Sequence, residues 1–249
     1  MQEVKGAIRM TGENIKLLKD GIKALGINLT EEAIISFDNY YKKLIMWNER
    51  VNLTAITNER DVIIKHFIDS LTLIKYLPSS AKSMIDVGTG AGFPGIPVKM
   101  IRGDLLLTLL DSLEKRVRFL NEVIIESSLT DVSIIHGRAE DLARDPLHRE
   151  NYDVGTARAV ASLSVLSEYI LPFVKPGGVF AAMKGSEIQK ELNEATKAIS
   201  VLGGKVESVE KFSLPFDNIE RHIILIKKIR QTPTQYPRKS GKPAKSPIS

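Results

Sequence analysis

No cysteine occurs among the 249 residues, which excludes disulfides, thiolate metal sites and a cysteine nucleophile together. Long apolar runs are missing as well, and none approaches the roughly 18 residues that a membrane span requires. The first ten residues carry Glu3, Lys5 and Arg9 without an apolar block, so a secretory leader is not expected there and a cytoplasmic protein is. Histidine is scarce, and His66, His136, His148 and His222 do not form a ligand set, so no metal site is expected. Acidic residues are absent from the C-terminal end. From Arg230 onward there are five basic residues, Arg230, Arg238, Lys239, Lys242 and Lys245, while the preceding chain balances 30 basic against 30 acidic side chains. The net charge of +5 is therefore a property of the tail, which suits phosphates or simply solvent.

What is present divides the chain into three. Residues 13–77 carry apolar residues at helical spacing. Ile15, Leu18, Ile22 and Leu25 form a first stripe closed by Gly26, and Thr30 can cap a second helix with Ile34, Phe37, Tyr41, Leu44 and Ile45 on its apolar face. A third helix is predicted from Thr57 until Pro78 stops it, and Trp47 is read as core. From Lys82 the pattern changes to short apolar runs, predicting strands at 83–87, 105–110, 132–136, 153–157, 178–183, 206–212 and 222–228. Helices are predicted between them at 95–102, 113–127, 162–171 and 187–202. Such alternation implies a mainly parallel sheet covered on both faces, and the short link between the last two strands implies an antiparallel hairpin. Residues 1–80 are thus expected to be an N-terminal helical extension, 81–230 an α/β domain, and 231–249 an extended, Pro-rich basic tail.

The α/β region opens on Asp86-Val87-Gly88-Thr89-Gly90-Ala91-Gly92-Phe93-Pro94-Gly95, a strand running into a glycine loop and then a helix. Glycine there permits positive φ and close approach of a ligand. Gly90, Gly92 and Gly95 match a dinucleotide fingerprint, with Asp111 at the end of the next strand. Asp86 two residues before the first glycine, and the terminal hairpin, instead resemble class I S-adenosylmethionine-dependent methyltransferases, with their Rossmann-like, seven-stranded sheet. In such a site Asp111 would accept hydrogen bonds from both ribose hydroxyls, since a carboxylate offers two acceptor oxygens to a vicinal diol. Ala139 or Glu140 would meet the adenine edge. After the fourth strand stands Thr156-Ala157-Arg158-Ala159 in place of the Asn/Asp-Pro-Pro-aromatic motif of enzymes that methylate exocyclic amines. The absence of cysteine also excludes the covalent route to pyrimidine carbon 5. A target with a free lone pair, such as guanine N7, needs neither device and can react by proximity and in-line orientation.

Together with the glycine block, further segments resemble the RsmG (GidB) family of bacterial 16S ribosomal RNA guanine-N7 methyltransferases, which act on the small ribosomal subunit. These are Trp47-Asn48, Asn52-Leu53-Thr54, His66-Phe67-Ile68-Asp69-Ser70-Leu71, Asp111-Ser112 with Lys115-Arg116, Arg138-Ala139-Glu140, Ala157-Arg158-Ala159, Lys184-Gly185 and the tail from Tyr236 to Pro247. The resemblance runs from about residue 30 to the C-terminus. It implies cofactor contacts at Gly88, Gly90, Gly92, Phe93, Asp111, Ala139, Glu140 and Arg158. It also implies that Arg158 and Lys184 face the reaction centre, where they position the guanine without a general base. In the tail, Tyr236 could stack on a base while Arg238, Lys239, Lys242 and Lys245 neutralise phosphates; the other reading is a structural segment lying across the domain. His66 and Asp69 share a helical face, but a packed histidine is preferred to a catalytic or metal role. Lys115 and Arg116 face either RNA or solvent. A monomer is expected. Two other functions stay open: a class I methyltransferase acting on a protein or small molecule, and a non-catalytic ribosome assembly factor.

Overall fold

Two threonines start the chain's first helices. Thr11 precedes α1 (Gly12–Ala24) and Thr30 precedes α2 (Glu31–Val51); each hydroxyl accepts the amide three residues on, from Asn14 at 3.3 Å and Ala33 at 3.2 Å, satisfying a donor that the first turn leaves free. This computed structural model describes residues 9–158, 161–186 and 188–248. The first eight residues of the expected extension, Ala159 of the fourth-strand motif and Glu187, the expected first residue of a helix, lie outside the described residues.

The single helix expected between Thr57 and Pro78 is a rod of four pieces. It runs through α3 (Glu59–Val62), a π-helical segment (Ile63–Ile68), α4 (Asp69–Leu71) and a 3₁₀ turn (Thr72–Tyr76). Apolar spacing read the helix and missed the change of pitch, because Val62, Ile63, Phe67 and Leu71 face the core throughout.

The remainder alternates strand and helix: β1 (Ser83–Val87), α5 (Gly95–Ile101), β2 (Leu106–Asp111), α6 (Glu114–Glu126), β3 (Val132–His136), α7 (Ala139–Leu142), β4 (Tyr152–Arg158), α8 (Leu163–Ile170), β5 (Val174–Lys184), α9 (Gln189–Val201), β6 (Gly204–Ser213) and β7 (Glu220–Lys228). The strands form one sheet in the order β3-β2-β1-β4-β5-β7-β6. All neighbours are parallel except β7, which is antiparallel to β5 and β6, so the expected terminal hairpin is present. Strand β5 begins four residues earlier than predicted. Val174 pairs with Tyr152 ahead of a register shift, and the Pro176-Gly177 step, which reads as a turn, lies inside that irregular entry. The tail is not extended throughout, because α10 (Lys242–Lys245) makes one helical turn. Pro243 is tolerated there since the first turn does not use its missing N–H.

Period-two alternation sends neighbouring side chains to opposite faces of the sheet. Met84, Leu107, Leu109, Val154 and Ile223 join Leu18, Phe37, Leu44 and Phe67 of the N-terminal helices in one buried cluster. Ile85, Leu110, Phe180, Ile224 and Ile226 join α8 and α9 in a second, against which Tyr236 and Ile248 pack. The order reverses at β1, whose neighbours are β2 and β4. Ligands of open α/β sheets bind at such a switch point, beyond the carboxyl ends of the strands.

Candidate active site

Asp86, the penultimate residue of β1, is fully buried. Its Oδ2 accepts from the Thr89 hydroxyl at 2.7 Å and from the Gly95 amide at 2.9 Å, tying the two ends of the glycine loop together. Gly95 must be glycine because a Cβ there would meet Asp86 Oδ2 at 2.9 Å and Leu109 Cδ2 at 2.6 Å. Oδ1 of Asp86 has no partner among the described residues, and burial raises this carboxyl to about 6. Gly90 holds φ at 63°, and a Cβ built on it would meet only the Gly88 carbonyl oxygen, at 4.0 Å. The loop is thus shaped to leave room for something against its backbone.

A cleft of about 940 Å³ opens there, lined by Gly88, Gly90, Phe93, Asp111, Arg158 and Lys184, and also by Thr54, His66, Asp69, Arg116 and Arg221. Register explains the gathering. Arg158 pairs with Met183, one residue before Lys184, and Lys184 pairs with His222, next to Arg221. Asp111 ends β2, its carboxylate buried. Oδ1 accepts from the Leu113 amide at 2.9 Å, and Oδ2 accepts from the Gly90 amide at 2.9 Å and from Arg116 at 3.3 Å.

The opposite wall belongs to the π-helical segment. His66 stacks on Phe93 with centroids 4.5 Å apart, and the Arg158 guanidinium lies 5.0 Å over the same ring. Arg158 donates to His66 Nδ1 at 3.2 Å, so the neutral ring carries its proton on Nε2 and donates it to Thr54 Oγ1 at 2.8 Å. Burial, then the Arg158 charge, depresses this imidazole to about 3. Asp69 receives Arg158 on Oδ2 and Arg221 on Oδ1, both at 3.1 Å. Lys184 is neither solvated nor free: its ammonium lies 2.6 Å from Glu191 and donates to the Ala161 carbonyl at 2.7 Å.

Several expected positions lie elsewhere. Gly92, Ala139 and Glu140 do not line the cleft. The Glu140 carboxylate is turned to the tail and accepts the Gly241 amide at 2.8 Å. Nor does Tyr236 stand free to stack on a base, since it packs against the second core cluster. Arg238 is committed to the buried Glu168, with a 2.6 Å ion pair and a 2.9 Å bond from Nε, because a carboxylate in that position needs its own cation. Arg149 holds the carbonyls of Thr232 and Tyr236, Arg144 holds that of Pro237, and Ser164 holds that of Ile248. The tail therefore lies across the domain, with Lys239, Lys242 and Lys245 exposed. Arg116 is turned inward onto Asp111, rather than toward RNA or solvent as its helical face suggested. Sequence reasoning set aside His66 and Asp69 and overlooked Glu191 and Arg221. The three-residue spacing of His66 and Asp69 was the available signal, whereas nothing local links Arg221 to Asp69 across 152 positions.

The sheet order, the glycine loop after β1 and the acidic end of β2 define a class I S-adenosylmethionine-dependent methyltransferase. Solved structures with this fold include ribosomal protein L11 methylase from Lactobacillus delbrueckii subsp. bulgaricus, with TM-score 0.52 at 14% identity over 67% of this chain and 79% of that one. Another is M. jannaschii TYW2 in complex with AdoMet, with TM-score 0.50 at 16% identity over 66% of this chain and 76% of that one. More specifically, residues 33–224 match the family model GidB, rRNA small subunit methyltransferase G, and the chain belongs to that family. Ribosomal RNA small subunit methyltransferase G of Acetivibrio thermocellus is 53% identical over 94% of this chain and 96% of its own length. The protein of that name from Alkaliphilus oremlandii is 53% identical over 93% and 98%.

The residues present fit S-adenosylmethionine. Gly90 lines the cleft without a side chain, where an added Cβ would meet only the Gly88 carbonyl oxygen at 4.0 Å, and Asp111 presents a buried carboxylate beside it. When bound, the cofactor supplies an electrophilic methyl group on a sulfonium.

Proposed function

We propose that this protein methylates N7 of a guanine in the 16S ribosomal RNA of the small ribosomal subunit, acting as a monomer in the cytoplasm. The observation that carries this reading is the excess of cations lining the cleft, Lys65, Arg116, Arg158, Lys184 and Arg221 against the carboxylates Asp69, Asp111 and Glu191. A polyanionic acceptor matches such a lining, whereas a small neutral acceptor would not require it. A non-catalytic assembly factor would have no use for the intact loop.

The side chains of the cleft bind and orient rather than move protons. Gly88 and Gly90 leave the loop backbone open to the cofactor's amino acid portion, and Asp111 receives its ribose. Ala139 and Glu140, just beyond β3, lie outside the cleft, with the Glu140 carboxylate on the Gly241 amide, so neither is given an adenine contact. Arg158 is held by Asp69 and His66, and Lys184 by Glu191. Both are therefore positioned as fixed donors toward the guanine and its phosphates. No general base is needed, because N7 attacks through an in-plane lone pair that carries no proton. His66, the titratable ring in the wall, has both nitrogens engaged and stays neutral. Lys239, Lys242 and Lys245 extend the contact to phosphates outside the cleft.

Small subunits prepared from cells lacking this activity, incubated with methyl-labelled S-adenosylmethionine, test the reading. Label confined to one 16S guanine, with reverse transcription after borohydride and aniline stopping at that base, is the expected result. Label in protein, on another atom, or nowhere overturns it.

A further inference from the structure

The acceptor sites of Asp111 do not suffice for both its present partners and a ribose. Each carboxylate oxygen accepts about two hydrogen bonds. Oδ1 has one donor, the Leu113 amide, while Oδ2 already has two, the Gly90 amide and Arg116. A vicinal diol places one hydroxyl on each oxygen. Oδ1 can take its hydroxyl, but Oδ2 must first release a donor. Gly90 donates from the backbone of the loop itself and is fixed by its turn.

Arg116 is the donor able to leave. Among the cations lining the cleft, its ion pair is the longest at 3.3 Å, against 3.0 Å for Lys65, 3.1 Å for Arg158 and Arg221, and 2.6 Å for Lys184. It is also the most exposed, at 32% of its side chain, while Lys184 shows 7%. The others are held by carboxylates that take no part in binding the ribose.

We infer that Arg116 couples the two substrates: the cofactor's ribose diol displaces its guanidinium from Asp111, and the freed guanidinium turns to the mouth of the cleft to pair with a phosphate of the acceptor RNA. This rests on the reading of Asp111 and the RNA acceptor given above. Cofactor occupancy then raises RNA affinity, and RNA raises cofactor affinity by the same factor. A guanine would then be gripped most tightly when the cofactor, with or without its methyl group, is in place.

The probe is S-adenosylhomocysteine, which keeps the ribose but lacks the sulfonium charge and does not turn over. Its binding is measured by calorimetry on the full chain, wild type and Arg116→Met, together with binding of unmethylated small subunits with and without it over a salt series. In the wild type it should raise subunit affinity several-fold and steepen the salt slope by about 0.7, the value of one added phosphate contact to single-stranded RNA. In Arg116→Met it should itself bind several-fold tighter, having lost a competitor for Asp111, and should leave subunit affinity and slope unchanged. Arg116→Lys should restore part of the coupling. Weaker S-adenosylhomocysteine binding by Arg116→Met would show the arginine to be an ordinary cofactor contact and overturn the inference, as would coupling that persists in that variant. A wild-type protein that binds the probe but shows no coupling overturns this inference alone, whereas one that does not bind the probe overturns the cofactor reading as well.

Discussion

The segments at the two ends of the chain attach on opposite sides of the sheet by different means. The N-terminal helices and the 59–76 rod press fully buried Leu18, Phe37, Leu44 and Phe67 onto one face. The C-terminal tail lies over the helical layer of the other face and, beside the packing of Tyr236 and Ile248, is held by individual polar contacts, among them Arg149 to backbone carbonyls, Glu168 to Arg238 and Glu140 to Gly241. Its entry is fixed by Lys228, fully buried, whose ammonium reaches Glu150 at 3.0 Å, the carbonyls of Leu171 and Val174, and Thr232. Burial lowers this lysine to about 8. A segment attached through apolar area loses stability in proportion to the volume removed. One attached through polar contacts loses it according to the partners left unsatisfied.

The largest effect belongs to the apolar face. Phe67→Ala should cost about 4 kcal/mol in urea unfolding, because Phe67 packs at tilted angles against Phe37, Tyr40 and Phe93 with ring distances of 5.0, 5.3 and 6.1 Å. Next comes the polar face. Lys228→Met preserves side-chain length yet removes the cation from Glu150, which keeps only the Thr232 amide, and a donor from two carbonyls, so a loss of about 3 kcal/mol is expected. If that variant is as stable as wild type, the contrast between the two attachments fails.

A smaller effect tests where the rod meets the site. His66 is held to about 3 against an ordinary 6.5, so between those values the unfolded chain binds the extra proton. The stability from the neutral ring is complete above pH 6.5 and is lost as pH falls toward 3. His66→Gln should cost about 1 kcal/mol at pH 7 and give a flatter urea midpoint between pH 6.5 and 4 than wild type. An unaltered pH profile would show that the ring is not held neutral.

The smallest stability change should come from the exposed lysines of the tail. Replacing Lys239, Lys242 and Lys245 together with Gln should move stability by less than about 0.5 kcal/mol. The salt slope of subunit binding should fall by up to about 2, at about 0.7 per lost contact to single-stranded RNA. Unchanged salt dependence would leave the tail a purely structural strap.

This contrast also explains how far the sequence could be read. The N-terminal helices were legible because an apolar stripe repeats at a spacing that any packed helix shows, and Thr30 marks a start by its hydroxyl. The sheet was legible through its short apolar runs, and the glycine loop through backbone requirements that few other residues meet. The tail's composition showed its charge but not its attachment. Glu168 and Arg238 are 70 positions apart, and a basic residue bound to a buried carboxylate looks, in sequence, like one facing solvent. Arg116 illustrates the same limit within the cleft. Its helical position allowed RNA or solvent, while its actual partner is an aspartate five residues earlier on the preceding strand's end.

The π-helical segment has a further consequence. It accommodates within one helical rod a turn wider than the α-helix on either side, and His66 lies inside that turn while Asp69 begins the next piece. An α-helical residue advances by about 100° and a π-helical one by less, since its hydrogen bonds span five residues instead of four, so the wide turn takes up one extra residue while the α-helical pieces on either side keep their relative phase. Deleting one residue between 63 and 65 and closing the turn as α-helix would leave the two ends of the rod in phase. It would change the angle between His66, inside the wide turn, and Asp69, just beyond it, so setting an imidazole over Phe93 and a carboxylate against Arg158 and Arg221 at the same time depends on chain length there as well as on residue identity.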